Sequence, residues 1–403
     1  MPPPFLHPFA RPTRESFITI VRGDGALLWD ADGRELVDGM ASLWYCAIGH
    51  GRREMAEAIA AQAGTLAAYS CFDPFTNEPA DELAEKLASI APMPDARVFF
   101  TSSGSEAIDS AMKLARAAHV QAGHPERSLI ISRERGYHGV AYGGTSAQGI
   151  GPNREGFGPL MPDVIQVPSD DLEALATLMA ERGDEVAAII TEPVQGAGGV
   201  FPPAEGYLAG LRRLCDQHGA FLILDEVITG YGRLGTWFAA EHFGVRPDLV
   251  TFAKAITSGY VPLGGVFVGP AVRAGLEADP GFFLRHGFTY SGHPTACAAA
   301  LANLRIIERE SLLDRAKHVG ARLAEGLQAL AADGTVASVR GEVAVWAVAH
   351  HAGVDPTAVR DRMLDLGVIT RAVGTDTNTF CPPLVTTDEQ IDRSVDARAT
   401  ATN

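Results

Sequence analysis

The chain has 403 residues, 46% of them hydrophobic and 20% charged, which is enough for a large core and, at about 150 residues per domain, for two domains. Acidic residues outnumber basic ones 49 to 33, giving a formal charge of −16 without a lysine or arginine cluster. This balance argues against a nucleic-acid or anionic-membrane surface and leaves small molecules as the expected partners.

Cysteine usage and hydropathy indicate the compartment. The five cysteines are scattered and odd in number, with no C-x-x-C pair, so neither a disulfide framework nor a structural zinc site is predicted. No basic leader precedes an apolar stretch, and no apolar run approaches the ~20 residues that a membrane helix needs. We therefore expect a cytoplasmic protein without a membrane segment or a metal site.

Short β-branched and aromatic runs alternate with longer segments of helical period, which is typical of parallel βα units. We predict helices near residues 105–121, 170–183, 206–218 and 294–309, and seven strands: Arg97–Phe100, Leu129–Ser132, Val164–Val167, Val186–Thr191, Ala220–Leu224, Leu249–Phe252 and Gly264–Gly269. The C-terminal part mixes helices with the strand-like segments Val336–Ala349 and Val368–Phe380. The prediction is an α/β fold, with a mainly parallel sheet in a large domain (46–304) and a smaller α+β domain formed by both ends (1–45 and 305–403).

Chemically capable residues follow the carboxyl ends of these strands. Each follows a different strand: Ser103-Gly104-Ser105, Tyr137-His138, Glu192, Asp225 and Lys254. Ligands bind at this edge of an open parallel sheet, so we expect these side chains to surround one site.

The lysine and the aspartate together suggest a covalent cofactor. An amine that forms a Schiff base needs a partly desolvated pocket, where its pKa falls and it can act as nucleophile and proton carrier. A buried acid such as Asp225 can keep a ring nitrogen protonated. Pyridoxal phosphate needs both groups at opposite ends of one aromatic ring, together with a phosphate cradle and a flat stacking partner.

Candidates for the cradle and the stacking partner precede the aspartate. Gly104 and Ser105 begin a helix directly after a strand, where backbone amides point at an anion, although the same segment also fits a simple helix cap. Glycines flank Tyr137-His138, so that the tyrosine ring can lie flat on a ligand; a structural tyrosine beside a partly exposed histidine is the alternative. Glu192, before a glycine-rich loop, is equally compatible with a turn.

A competing motif lies in residues 230–235, which match G-x-G-x-x-G after a strand. A dinucleotide fingerprint needs the strand to run directly into the first glycine, whereas here the carboxylates of Asp225 and Glu226 intervene and would repel anions. A nicotinamide-dependent oxidoreductase is therefore the weaker alternative. Phosphate-loop, nucleophile-elbow and H-E-x-x-H motifs are absent from the sequence.

Six motifs occur in order and together carry a family resemblance. They are Ser-Gly-Ser-Glu-Ala (103–107), Gly-Tyr-His-Gly (136–139), Glu-Pro-Val-Gln-Gly (192–196), Leu-Asp-Glu-Val-Ile-Thr-Gly-Tyr-Gly-Arg-Leu-Gly (224–235), Ala-Lys-Ala-Ile-Thr-Ser-Gly-Tyr-Val-Pro-Leu-Gly (253–264) and Phe-Thr-Tyr-Ser-Gly-His-Pro (288–294). The chain resembles a class III pyridoxal-phosphate-dependent aminotransferase from about residue 20 to about residue 385. The resemblance implies the fold-type-I architecture and a homodimer with shared active sites.

Carried over by position, the resemblance assigns the cofactor site residue by residue. Lys254 is then the catalytic Schiff-base lysine, and Asp225 is the partner of the pyridine nitrogen. The remaining cofactor-binding residues are Val227 and Tyr137 on the ring faces, Ser103, Gly104 and Ser105 at the phosphate, His138 and Glu192 beside the ring, and Thr289 reaching the neighbouring subunit's phosphate. The implied reaction is a ping-pong transamination through Lys254.

Substrate-binding candidates come from the same resemblance. Ala197 stands where ornithine- and 4-aminobutyrate-type members carry a glutamate, so that subgroup is disfavoured. Two positions resemble the ω-amino acid or amine:pyruvate branch of the family: Trp44, and Arg371 ahead of Cys381-Pro-Pro-Leu. The resemblance implies that this arginine binds a substrate carboxylate. Without the resemblance, Arg371 would be a strand-surface residue and Trp44 a core aromatic. We predict an ω-transaminase with pyruvate as acceptor.

Two further alternatives stay open. The adenosylmethionine-8-amino-7-oxononanoate (biotin-pathway) transaminase shares most of the cofactor motifs, and its donor distinguishes it. A regulatory module that has lost turnover is disfavoured by the retained Lys254 and Asp225.

Overall fold

The computed structural model describes residues 3–401. Fifteen strands lie in this part of the chain: β1 Ile20–Asp24, β2 Leu27–Asp30, β3 Glu35–Asp38, β4 Arg97–Thr101, β5 Leu129–Arg133, β6 Val164–Val167, β7 Val186–Thr191, β8 Phe221–Asp225, β9 Leu249–Phe252, β10 Gly264–Val268, β11 Ser338–Glu342, β12 Val345–Ala349, β13 Val368–Ile369, β14 Arg371–Val373 and β15 Thr377–Phe380.

The helices of the described residues are α1 Ala41–Trp44 (a kinked single turn), α2 Arg53–Leu66, α3 Glu78–Ile90, α4 Gly104–Gln121, α5 Tyr142–Ala147, α6 Leu172–Arg182, α7 Tyr207–His218, α8 Ala239–His242, α9 Pro270–Leu276, α10 Pro294–Arg309, α11 Leu312–Ala332, α12 Pro356–Asp365 and α13 Asp388–Thr400. Single 3₁₀ turns cover Gly151–Asn153, Gly183–Glu185 and Lys254–Ile256. Within residues 3–401, no helix has the length and apolar character to cross a membrane.

A seven-stranded sheet forms the centre of the molecule, as predicted. Its order is β4-β10-β9-β8-β7-β5-β6, and the pairs β9–β8, β8–β7, β7–β5 and β5–β6 are parallel. Only β10 runs antiparallel to its neighbours β4 and β9. Strands β5, β7, β9 and β10 are buried along their whole length, because helices cover both faces of the sheet. Their mostly apolar sequences follow from this burial.

The two chain ends meet beside the central sheet. Strands β1, β2, β3 and β13 form one four-stranded sheet, in which Val368 pairs in parallel with Val37. Strands β11, β12, β15 and β14 form another. Apolar side chains of α11, α12 and α13 pack on these strands in a separate core cluster. The boundaries proposed for the smaller domain, at residues 45/46 and 304/305, stay a prediction.

Candidate active site

Lys254 follows β9 at the carboxyl edge of the central sheet and lines a cavity of about 380 Å³. Its backbone φ is 51°, a left-handed conformation that residues other than glycine rarely adopt. Such conformations often mark functional positions. Burial lowers the pKa of the Lys254 ammonium, while the carboxylates of Asp225 and Glu192 oppose this shift. In residues 3–401, Lys254 Nζ makes no hydrogen bond, so the amine is available to a ligand.

Asp225 ends β8 and lines the same cavity. Its Oδ2 lies 2.8 Å from His138 Nδ1, while Thr251 Oγ1 and the Val227 amide donate to its Oδ1 at 3.2 and 3.1 Å. The carboxylate is nearly inaccessible to solvent. Three partners therefore fix its orientation. His138 Nε2, by contrast, is buried and has no hydrogen-bond partner among the described residues.

Glu192 joins two loops at the back of the cavity. Its Oε2 accepts from the Tyr137 amide at 2.8 Å and its Oε1 accepts from the Gly196 amide at 3.0 Å. Burial raises the pKa of Glu192 to about 7, although the neighbouring His138 lowers it. The carboxylate thereby positions the half-buried Tyr137, which lines the cavity.

The start of α4 closes one end of the cavity with Ser103, Gly104 and Ser105. Ser103 Oγ accepts from the Glu106 amide at 3.2 Å, so this hydroxyl caps the helix. Ser105 Oγ accepts from the Val140 amide at 3.0 Å and keeps its own proton to donate to an anion. The helix-cap and anion-site interpretations of this segment are therefore compatible: one hydroxyl caps the helix, and the other faces the cavity.

Three further sequence candidates lie in different surroundings. Arg371, on β14, is half-buried, and its guanidinium makes no hydrogen bond or ion pair with residues 3–401 but lies near Tyr137. Trp44 is 3% exposed and packs in an apolar cluster with Met40 and Ile228, whereas its neighbour Tyr45 lines the cavity. Thr289 is exposed and lies outside the lining of this cavity.

Part of the cavity wall was not assigned from the sequence. The additional lining residues are Tyr45, Ser102, Ile108, Gly139, Ile228, Ala253, Thr257, Gly259, Val261, Pro262 and Leu263. The loop 257–263 directly follows the candidate lysine, and Tyr45 adjoins the candidate Trp44, so proximity in sequence was the available signal. The contact between His138 and Asp225 could not be predicted in this way, because 87 positions separate the two residues.

An unpaired amine and a fixed carboxylate in one cavity, with a helix start at its end, define the site of a pyridoxal-phosphate-dependent enzyme on a fold-type-I scaffold. The residues fit this cofactor in shape as well as charge. A Cβ built at Gly104 would lie 3.0 Å from Val227 Cγ1, so a larger residue at this position would crowd the valine. Tyr137 supplies an aromatic ring in the same cavity.

Comparisons with known proteins establish the family. The model of the class-III aminotransferases matches residues 9–401, and the chain belongs to this family. It is 39% identical to a beta-alanine–pyruvate aminotransferase of Pseudomonas aeruginosa, over 95% of this chain and 91% of that protein. It is also 39% identical to an omega-aminotransferase of Caulobacter vibrioides, over 91% and 89% of the two chains.

Solved structures agree with this assignment. A transaminase from the marine bacterium Virgibacillus superposes with a TM-score of 0.95 at 38% identity, covering 99% of this chain and 96% of the other. The PLP-bound form of an amine transaminase from an uncultivated Pseudomonas species gives 0.95 at 37% identity, with coverages of 100% and 98%. The protein is thus a pyridoxal-phosphate-dependent transaminase, which moves an amino group from an amine or amino acid to a keto acid.

Proposed function

We propose that this chain is an ω-transaminase that takes amine or ω-amino acid donors and passes the amino group to pyruvate. The observation that carries the proposal is Arg371, a half-buried guanidinium without a protein partner beside Tyr137. A cation in this state is suited to bind a substrate carboxylate. Position 197, where ornithine- and 4-aminobutyrate-type members carry a glutamate, is an alanine in this chain. The names of the relatives from Pseudomonas aeruginosa and Caulobacter vibrioides support the same donor and acceptor classes.

Each residue of the cavity has a proposed task. Gly104, Ser105 and the amides at the start of α4 would hold the phosphate, and Val227 and Tyr137 would lie on the two faces of the ring. Asp225 would face the ring nitrogen. When bound, pyridoxal phosphate supplies a covalent attachment for the amino group and an acceptor for the electrons released at the donor carbon.

Lys254 is the proposed catalytic residue. Its Nζ would link covalently to the cofactor in the resting enzyme and, once the donor has displaced it, take the proton from the donor carbon. The lowered pKa of the ammonium favours the neutral amine that both tasks need. His138 would keep Asp225 in place at 2.8 Å, and Glu192 would keep Tyr137 over the ring.

We also propose that the active enzyme is a homodimer. Thr289 is exposed and lies away from the cavity of its own chain, as expected for a residue that serves a partner's cofactor. Several large apolar side chains of the described residues are more than half exposed, among them Tyr290 next to Thr289 and Phe72, which contacts the Gly287 position; others are Tyr69, Phe75 and Phe283. Large exposed apolar surfaces of this kind mark protein interfaces. The cytoplasm stays the proposed compartment, in keeping with five unpaired cysteines.

The visible spectrum of the protein loaded with pyridoxal phosphate tests the proposal. We expect 1-phenylethylamine or β-alanine to bleach the yellow band and pyruvate to restore it, whereas Lys254→Ala should form no stable band and show no turnover. A band that bleaches only with S-adenosylmethionine would favour the biotin-pathway transaminase. A band that none of these donors bleaches would refute the ω-transaminase assignment, and substantial turnover by Lys254→Ala would refute the role of the lysine.

A further inference from the structure

The turn before Tyr45 adopts a backbone that residues other than glycine rarely use. Ala41, Ser42 and Trp44 have φ angles of 45°, 60° and 67°. Such conformations persist only where surrounding contacts enforce them, and they concentrate at functional sites. Here the carboxylate of Asp38 accepts from the amides of Met40 and Ser42 at 3.1 and 2.6 Å, while the Trp44 ring is buried. The turn is therefore held rigidly, and the next residue leaves it in a fixed direction.

Tyr45 is that next residue, and its ring is held from two sides. Ser42 Oγ donates to Tyr45 Oη at 2.5 Å. On the other side, a Cβ built at Gly259 would lie 2.3 Å from Tyr45 Cδ2 and 2.4 Å from Cε2, so the ring lies directly against the glycine backbone. Gly259 has a φ of +78°, which also disfavours any other residue. The ring consequently has little freedom to move.

The turn that carries this ring contacts the strand pair formed by β14 and β15. Thr379 Oγ1 donates to Met40 Sδ at 3.6 Å, and Thr379 pairs with Arg371 across β15 and β14. The turn thus packs on the strands that carry the candidate carboxylate-binding arginine. Ser103 and Ser105, the candidate anion-binding residues, line the same cavity.

We propose that Tyr45 is a specificity-determining residue, whose ring limits the size of the donor substituent that fits beside Lys254. The inference rests on the proposed ω-transaminase function. Along this wall, Tyr45 is joined by the uncharged residues Gly259, Val261 and Pro262. A wall without charges selects by shape, and in an apolar pocket one methylene is worth about tenfold or more in kcat/KM.

The experiment compares donors of increasing size with pyruvate held constant: 2-aminopropane, 1-phenylethylamine and 1-phenylbutylamine. Tyr45→Ala should raise the ratio of kcat/KM for 1-phenylbutylamine over that for 2-aminopropane by about tenfold or more. Tyr45→Leu removes less volume and should give a smaller increase in the same direction. Tyr45→Phe keeps the ring and should leave the ratio near that of the wild type.

Leu43→Ala is the matched control, because Leu43 belongs to the same turn but is 46% exposed. It should leave the ratio unchanged. The cofactor band and the melting temperature of each variant report the integrity of the site and fold independently of turnover. An unchanged ratio in both Tyr45→Ala and Tyr45→Leu, or an equal loss for all donors, would overturn the proposal. If wild-type protein fails to bleach with every donor, the proposed function fails instead.

Discussion

Glu192→Gln tests how far one buried carboxylate holds the cofactor site together. Glutamate accepts two backbone N–H groups, from Tyr137 at 2.8 Å and from Gly196 at 3.0 Å, with one oxygen each. Glutamine has the same shape but only one accepting oxygen, and its NH₂ group would face the second N–H. One of the two loops must therefore lose its anchor.

The magnitude follows from the hydrogen bond that is lost. A hydrogen bond to a charged group contributes about 1.5–3 kcal/mol net, and a buried N–H without a partner costs about 1–3 kcal/mol. Since about 1.4 kcal/mol corresponds to a factor of ten, the dissociation constant of pyridoxal phosphate should rise about tenfold to a hundredfold at pH 8. The pKa of Glu192, about 7, adds a second signature. As the pH falls through 7, the wild-type Glu192 carboxylate gains a proton, and one of its two oxygens no longer accepts a hydrogen bond. The difference in pyridoxal-phosphate affinity between wild type and Glu192→Gln should therefore shrink.

Titration of the cofactor-free protein with pyridoxal phosphate, followed by intrinsic fluorescence at pH 8 and pH 6, measures both effects. Glu134→Gln is the matched control, because Glu134 lies on the same loop as Tyr137 but is exposed. Equal affinities of Glu192→Gln and wild type at pH 8 would refute the anchoring role. A difference that stays constant between the two pH values would refute the proton-linked part alone.

The remaining predictions concern three other sites. Arg371→Ala should lower kcat/KM for pyruvate by about thirtyfold, since an interaction with a buried charge is lost, but affect the half-reaction with 1-phenylethylamine less; equal losses would indicate a structural arginine. Thr289→Val should weaken pyridoxal phosphate about tenfold in a dimer that sedimentation shows to be intact, whereas unchanged affinity would contradict service across the interface. Burial raises the pKa of Glu226 from 4.5 to about 7, so its contribution to stability is complete below pH 4.5 and is lost as the pH rises through 7. The advantage of wild type over Glu226→Gln in unfolding free energy should shrink across that range, and a constant difference in denaturant melts would disprove it.

Strands of the central sheet were predictable because burial makes their short sequences mostly apolar. Predicted and observed bounds agree at Val164–Val167, Val186–Thr191 and Leu249–Phe252 and differ by a residue at most elsewhere in this sheet. Helix α4 was predictable from its period and its cap. The reversed direction of β10 was not, since a buried antiparallel strand has the same apolar sequence as a parallel one.

Contacts between loops could not be predicted from the sequence, for a different reason. Whether Glu192 meets the Tyr137 amide, or His138 meets Asp225, depends on where two distant loops lie in space. The residues with left-handed φ angles before Tyr45 are Ala41, Ser42 and Trp44, none of them a glycine, so the sequence does not indicate this backbone. His350 is buried against Asn378 on the neighbouring strand β15, a contact that the sequence around the histidine does not indicate.

The hydrogen bonds of the site divide its residues into fixed and free groups. Asp225 has three partners and Glu192 has two, and Ser105 ties the start of α4 to the loop that carries Tyr137. These groups gain nothing from moving, because each would leave a buried donor or acceptor unpaired. Within residues 3–401, Lys254 Nζ makes no such bond. The role proposed for Lys254, alternately holding the cofactor and carrying a proton, needs this freedom, whereas the hydrogen-bonded carboxylates around it stay in place.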